Sequence, residues 1–105
     1  MAEAEQREVV WTRAAQTDLQ NIYEAAIPLS GEKEAYKLVE SIRRKADFLY
    51  RPIIGSTRLV SSRYPERDYQ KLIVKPHIIV FRQIGQVVFV NRVFDTRQNP
   101  DKLGL

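Results

Sequence analysis

The side chains able to do chemistry in this chain are mostly cations. Between positions 51 and 82 stand seven of them, Arg51, Arg58, Arg63, Arg67, Lys71, Lys75 and Arg82, against only Glu66 and Asp68. Residues 1 to 50 hold seven basic and nine acidic groups, so the formal charge of +4 hides a middle third far more positive than the rest. Several cations on one surface raise the local potential and speed encounter with a negative target, which points to a polyanion or an acidic protein partner. A solvated basic surface is the plain alternative, and composition does not choose between them. Lys71, Arg82 and Arg97 are the cations that could converge on one phosphate, with Tyr69 or Asp95 to assist. There is no cysteine and one histidine, His77. Thiolate nucleophiles, disulfides and thiol-containing zinc sites are excluded, any metal is left to carboxylates, and the expectation is a protein with no cofactor and no metal.

What must position these groups is a single domain spanning residues 1–105, since 105 residues with 44% hydrophobic positions are one core's worth of chain. No run approaches the roughly 18 apolar residues of a membrane span. The first residues, Met1 to Glu8, are polar and acidic rather than signal-like, so a cytoplasmic protein with no membrane partner is expected. Glu8 to Trp11 (EVVW) reads as a short strand. Thr12 then caps a helix in which Ala15, Leu19, Ile22 and Ala26 recur at helical spacing, Asp18 and Gln20 face away, and Pro28 is the end. Ser30 offers a second cap after a two-residue break, Glu32 and Glu34 sit in the next first turn, and Arg43, Arg44 and Lys45 lie towards the far end, as the macrodipole prefers. Ala35, Leu38, Val39, Ile42, Ala46 and Leu49 form the apolar stripe of this second helix. The short connection predicts an antiparallel two-helix hairpin.

After Pro52 and Gly55 the period changes. Thr57 to Val60 reads as a strand, Ser61 to Asp68 as a polar stretch, and Tyr69 to Val74, Ile78 to Gln83 and Val87 to Phe94 as three further strands, separated by Lys75-Pro76 and a turn at Gly85. The economical fold class is α+β, in the order β-α-α-β-β-β-β, with a curled antiparallel sheet. Cross-strand parity puts Leu72, Val74, Ile79, Phe81, Val88, Val90 and Phe94 against the helices. The other face then carries Tyr69, Lys71, Arg82, Asn91 and Asp95, with Ile73, Val80 and Phe89 among them. His77 reads as a turn or strand-edge residue pointing away from Lys71 and Arg82. Trp11 reads as core. Residues 1–6 and 99–105 look loose.

This arrangement resembles the RelE/ParE superfamily of bacterial toxins over nearly the whole chain, Val9 to Leu103. The residues that carry the resemblance are Trp11 with the helix holding Asp18-Leu19 and Ile22, then Pro52 to Gly55 (PIIG), then Lys71 to Arg82 (KLIVKPHIIVFR). The last strand and its exit, Arg92 to Pro100, complete the pattern. Order and spacing carry the likeness rather than one motif.

The resemblance implies a growth-arresting toxin of a type II toxin–antitoxin module, associated with plasmid stabilisation and paired with an acidic antitoxin. Operator DNA would be met only through that antitoxin, and self-association stays open. Members divide in activity. ParE-like members trap DNA gyrase, whereas RelE-like members cut mRNA on the ribosome. Metal-free RNA cleavage needs a base, an acid and cations; here it would fall to Lys71, Arg82, Arg97, Tyr69 and Asp95. Many members have a histidine after the last strand, where this chain has Asp95. The lack of a clear acid and base favours the ParE-like reading, in which Arg43, Arg44, Arg63, Arg67, Lys71, Arg82 and Arg97 are the expected target- or antitoxin-binding residues. A nucleic-acid-binding domain without toxicity is the remaining alternative, although only Tyr64 and Tyr69 interleave the basic stretch.

Overall fold

The computed structural model describes residues 7–51, 56–98 and 104–105. Pro52 to Gly55 and most of the ends expected to be loose, residues 1–6 and 99–103, lie outside the described residues. The elements are β1 (Glu8–Trp11), α1 (Arg13–Asp47), a 3-10 turn (Phe48–Tyr50), β2 (Thr57–Leu59), β3 (Tyr69–Val74), β4 (His77–Ile84) and β5 (Val87–Asp95).

Thr12 caps α1 as its position suggests: Ala15 N–H donates to its hydroxyl oxygen at 3.2 Å. The expected pair of separate helices is corrected to one helical element of 35 residues that passes through Pro28 and departs from helical geometry at Gly31, where φ is 86° and ψ 163°. That region is open almost only to glycine. The element folds back there. A straight helix of this length would run about 52 Å, beyond the molecule's longest extent of 44 Å, and Trp11, just before the element, donates from Nε1 to Asp47 at its end at 3.2 Å. Ser30, expected to cap a second helix, instead returns its hydroxyl to the Ala26 carbonyl at 3.1 Å, helping to close the turn that holds Pro28.

The sheet is mixed, not wholly antiparallel. Its order is β1-β5-β4-β3-β2, and β1 runs parallel to β5 while the other neighbours are antiparallel. α1 covers one face through Ala15, Leu19, Val39, Ile42 and Ala46 packed on Ile79, Phe81, Val88, Val90 and Val93. The second face has its own small core of Leu59, Tyr69, Val80, Phe94 and Leu105. Leu105 is only 5% exposed and packs in that core.

A register shift between β4 and β5 corrects the expected faces. Val80 pairs with Arg92 but Phe81 pairs with Val90, which leaves Asn91 as the extra residue of a bulge. Beyond it the alternation inverts: Val93 enters the core beneath α1, Phe94 moves to the second face, and Asp95, paired with His77, comes to the helix side. Asp18, expected to face away, binds at this bulge. Its carboxylate accepts from Val93 N–H at 2.8 Å and from Arg92 Nε and Nη2, both at 2.9 Å.

Gly31→Ala should cost about 1–3 kcal/mol of stability in urea unfolding, all of it backbone strain, because a Cβ there meets no atom within 4 Å. Asp18→Ala, which strands a largely buried guanidinium and a strand N–H, should cost on the order of 3 kcal/mol in the same measurement.

Candidate functional site

The groups singled out for chemistry do not meet at one place. Lys71 pairs with Val80 across β3 and β4, and Arg82 follows Val80 by two residues, so both belong to the second face, with Tyr69. Asp95 lies on the helix side, and Arg97 turns back onto it: Arg97 Nε and Nη2 donate to the carboxylate at 2.9 and 3.0 Å, and Arg97 N–H donates to it at 2.9 Å. The expected convergence of Lys71, Arg82 and Arg97 on one phosphate is therefore replaced by two separate groups. The bulge at Asn91 is the physical cause, since it turns Asp95 and the residues after it to the opposite side of the sheet.

On the second face Tyr69 is a core residue, 3% exposed. Its hydroxyl accepts from Arg67 Nη1 at 3.0 Å, and that bond holds Arg67 above its ordinary pKa. Arg67 also lies over the Tyr64 ring at 3.8 Å, with Arg63 near the same ring at 5.4 Å. Arg63 and Arg67, expected as free binding cations, are in this way stacked around one aromatic. Lys71 and Arg82 have no ion-pair or side-chain hydrogen-bond partner among the described residues. Of the expected proton-handling groups only the Tyr69 phenol shares that face, and its oxygen accepts from Arg67.

On the helix side a cleft of about 470 Å³ opens between the bend of α1 and the ends of β4 and β5, lined by Asp18, Ile22, Ala26, Leu29, His77, Arg92, Asp95 and Arg97 among others. Its ionic groups are internally matched, Asp18 with Arg92 and Asp95 with Arg97. Arg97 holds the Asp95 carboxyl down at about 2, chiefly through the side-chain hydrogen bonds. His77 opens β4 rather than lying in the turn; it is 7% exposed, and its Nδ1 is buried without a partner among the described residues. Burial pushes its pKa below the ordinary 6.5, opposed by the nearby Asp95 carboxylate. A neutral imidazole shut away on the face opposite Lys71 and Arg82 cannot serve them as base or acid.

Arg43 and Arg44 face different hollows. Arg43 pairs loosely with Glu40 at 3.6 Å and borders a hollow with Trp11, Gln16 and Leu19. Arg44 borders a groove against β3, with Phe48 and Ile73. Sequence reasoning placed Arg44 and Lys45 in one basic cluster but missed Phe48 as their neighbour in the groove, because the approach of α1 to β3 is a tertiary fact. The apolar Phe48, three residues after the basic run Arg43 to Lys45, was the available signal.

A family model described as the ParE toxin of the type II toxin–antitoxin system parDE matches residues 9–100. The chain belongs to the ParE toxin family. Among solved structures, one described as "Chromosomal ParDE TA system from P. aeruginosa" is similar, at 24% identity and TM-score 0.72, covering 87% of this chain and 97% of that one. The crystal structure of YafQ from E. coli strain BL21(DE3) is more distant, at 12% identity and TM-score 0.45, covering 86% of this chain and 93% of that one. No curated protein matches. The ParE-family chain thus shares the α+β fold of the P. aeruginosa protein, and none of its described helices is long and apolar enough to cross a membrane.

Asp95, lowered from the ordinary 3.8 to about 2 by Arg97, holds its charge for the Arg97 pair fully above the ordinary carboxylate value and loses it as pH falls through about 2. His77, lowered from 6.5, contributes stability that is complete above 6.5 and is lost as pH falls from there towards its folded value. In an NMR titration, Asp95→Asn should lower the His77 pKa further, since it removes the charge that opposes desolvation; an unchanged or higher value would contradict this.

Proposed function

We propose that this ParE-family chain is a toxin that arrests growth inside the bacterial cell by binding DNA gyrase, and that a cognate acidic antitoxin neutralises it. Membership of the ParE family supports the toxin reading, and likeness to the P. aeruginosa protein, which comes from a ParDE system, supports a paired antitoxin. Operator DNA would be reached through that antitoxin rather than by this domain alone. The observation that favours binding over catalysis is the division of the candidate catalytic residues between two faces of the sheet. Lys71 and Arg82 stand on one face beside a buried Tyr69, while Asp95 clasps Arg97 and His77 is closed off on the other. A RelE-like cut needs proton donors and acceptors at the same phosphate as its cations, and that set is not gathered.

A surface inhibitor spreads its affinity over a patch, so its cations matter where they touch the partner. Lys71, Arg82, Arg43 and Arg44 are the candidates for such contact, with Arg97, Arg63 and Arg67 more constrained by their own partners. The second reading, mRNA cleavage, rests on Lys71 and Arg82 alone, two cations without partners among the described residues.

Expression of the chain without antitoxin should arrest growth, and co-expression of the antitoxin should restore it. Purified protein should inhibit plasmid supercoiling by gyrase while primer extension on translated mRNA finds no new ends. Codon-located cuts that fall about 10²-fold or more with Arg82→Ala, with supercoiling untouched, would establish the nuclease instead.

A further inference from the structure

His77 lines the helix-side cleft at 7% exposure, with its Nδ1 buried and unpartnered among the described residues. A neutral imidazole tolerates such a seat. An imidazolium carries two N–H donors and a charge, and needs an acceptor there. The charged groups that face the cleft with it are Asp18 from α1, Arg92 and Asp95 from β5, and Arg97 from the turn that follows. From β3 its neighbour is the apolar Val74, and Lys75 of the β3–β4 turn lines the other groove, with Arg44. All four charges are already paired, Asp18 with Arg92 and Asp95 with Arg97, so the cleft is balanced while His77 is neutral. The two pairs are not held alike. Asp18 also accepts from Val93 N–H at the bulge and its pair is largely buried. The Arg97 side chain is 87% exposed, and its partner Asp95 is the residue that the sheet register sets directly across from His77.

We infer that His77 is an acid-operated latch on Arg97: when the imidazole takes a proton from solvent, the Asp95 carboxylate exchanges partners, receiving the imidazolium and releasing the Arg97 guanidinium to water. Two donors then compete for one acceptor. With His77 neutral, Asp95 directs its oxygens to Arg97, accepting from Nε, Nη2 and the backbone N–H. A proton on His77 places a second cation across the strand pair from Asp95, in a cleft whose other carboxylate, Asp18, already serves Arg92 and Val93. An ion pair to an exposed side chain contributes little, and fixing that long side chain costs rotamer freedom. A buried imidazolium has less water to turn to and gains more from the carboxylate. Asp95 therefore goes to His77. Burial sets the range: it holds His77 below the ordinary 6.5, so the latch is closed at neutral pH and opens only in acid, where Asp95, at about 2, is still charged. A cation clasped at neutral pH is then free, and the cleft passes from balanced to positive. The exchange holds whatever the toxin's target is, because it concerns only which donor Asp95 serves.

The experiment is an NMR titration of the isotope-labelled full chain from about pH 7.5 to about pH 4, a range that spans histidine ionisation, following the His77 ring and the Arg97 Nε–H together. In the parent, the Arg97 side-chain order parameter should fall by about a factor of two, from a fixed to a freely moving group, with the same midpoint as the imidazole. His77→Gln, which keeps a polar side chain that takes no proton, should leave Arg97 ordered throughout. Asp95→Asn should leave it mobile throughout. Circular dichroism of the parent should stay constant over the same range. An Arg97 that remains ordered while His77 titrates overturns the inference, and so does one that loosens at the same pH in His77→Gln. An Arg97 already mobile at neutral pH overturns it too, because no clasp is then there to open. Loss of the circular dichroism signal together with the His77 titration replaces the latch with general acid unfolding. Should His77→Gln fail to fold, the parent titration decides by itself, since a fixed Arg97 beside a charged His77 is incompatible with the exchange.

Discussion

The Asp18 carboxylate is the point on which the two layers of this protein are registered. A bulge at Asn91 takes β5 out of step with β4 and leaves backbone groups there without ladder partners. A buried N–H without a partner costs about 1–3 kcal/mol, so a bulge beneath a helix persists only if something supplies acceptors and donors. The first turns of α1 do both. Asp18 accepts from Val93 N–H and grips Arg92 in a two-pronged pair, while Thr12, on the other side of the bulge, donates towards the carbonyls of Val90 and Asn91 at 3.0 Å each. The helix cap and the strand irregularity therefore complete one another.

The parallel pairing of β1 with β5 follows from the same junction. Thr12 N–H reaches the Val90 carbonyl at 3.1 Å, so the strand that ends at Trp11 is continued into α1 at the point where β5 begins to bulge. From there the helical element runs out, bends at Gly31 and returns until Asp47 meets Trp11. The bend lets one continuous element cover the sheet twice, and its two halves bury Ala15 and Leu19, then Val39, Ile42 and Ala46, against the same strands.

Local signals in the sequence located most of this. The cap at Thr12, the apolar stripes of both halves of α1, the hairpin turns at Lys75-Pro76 and Gly85, and strand edges within a residue or two all follow from short-range stereochemistry and period. What was illegible is non-local. Nothing near Glu8–Trp11 states that its partner lies some eighty residues on, and parity counting cannot foresee one extra residue at Asn91. That single residue accounts for the exchange of Phe94 and Asp95 and hence for the failure of Asp95 and Arg97 to join Lys71 and Arg82. Pro28 misled for a different reason. A proline ends a helix when its missing N–H and ring clash leave a carbonyl stranded, but three residues before a glycine reversal there is little helix left to break. The role of Asp18 was equally hidden, because a charged residue on an amphipathic helix is by default a solvent-facing one, and only the bulge gives it a reason to turn inward.

The surface that results is sorted by how firmly its cations are held. Arg92 is committed to Asp18 and Arg97 to Asp95 at 2.9 Å, and Arg67 is held between Tyr64 and Tyr69. The remaining pairs, Lys37 with Glu34 at 3.5 Å, Arg43 with Glu40 at 3.6 Å and Arg58 with Asp68 at 3.8 Å, are loose and lie at the surface, of the kind that contributes little and yields readily to a competing anion. Lys71 and Arg82 on the second face, and Arg44, Lys45 and Lys75 around the groove, are held by no ion pair among the described residues. Fold-maintaining cations and available cations are thus different residues, although they are interleaved in sequence. A partner can draw on the second set without loosening the first.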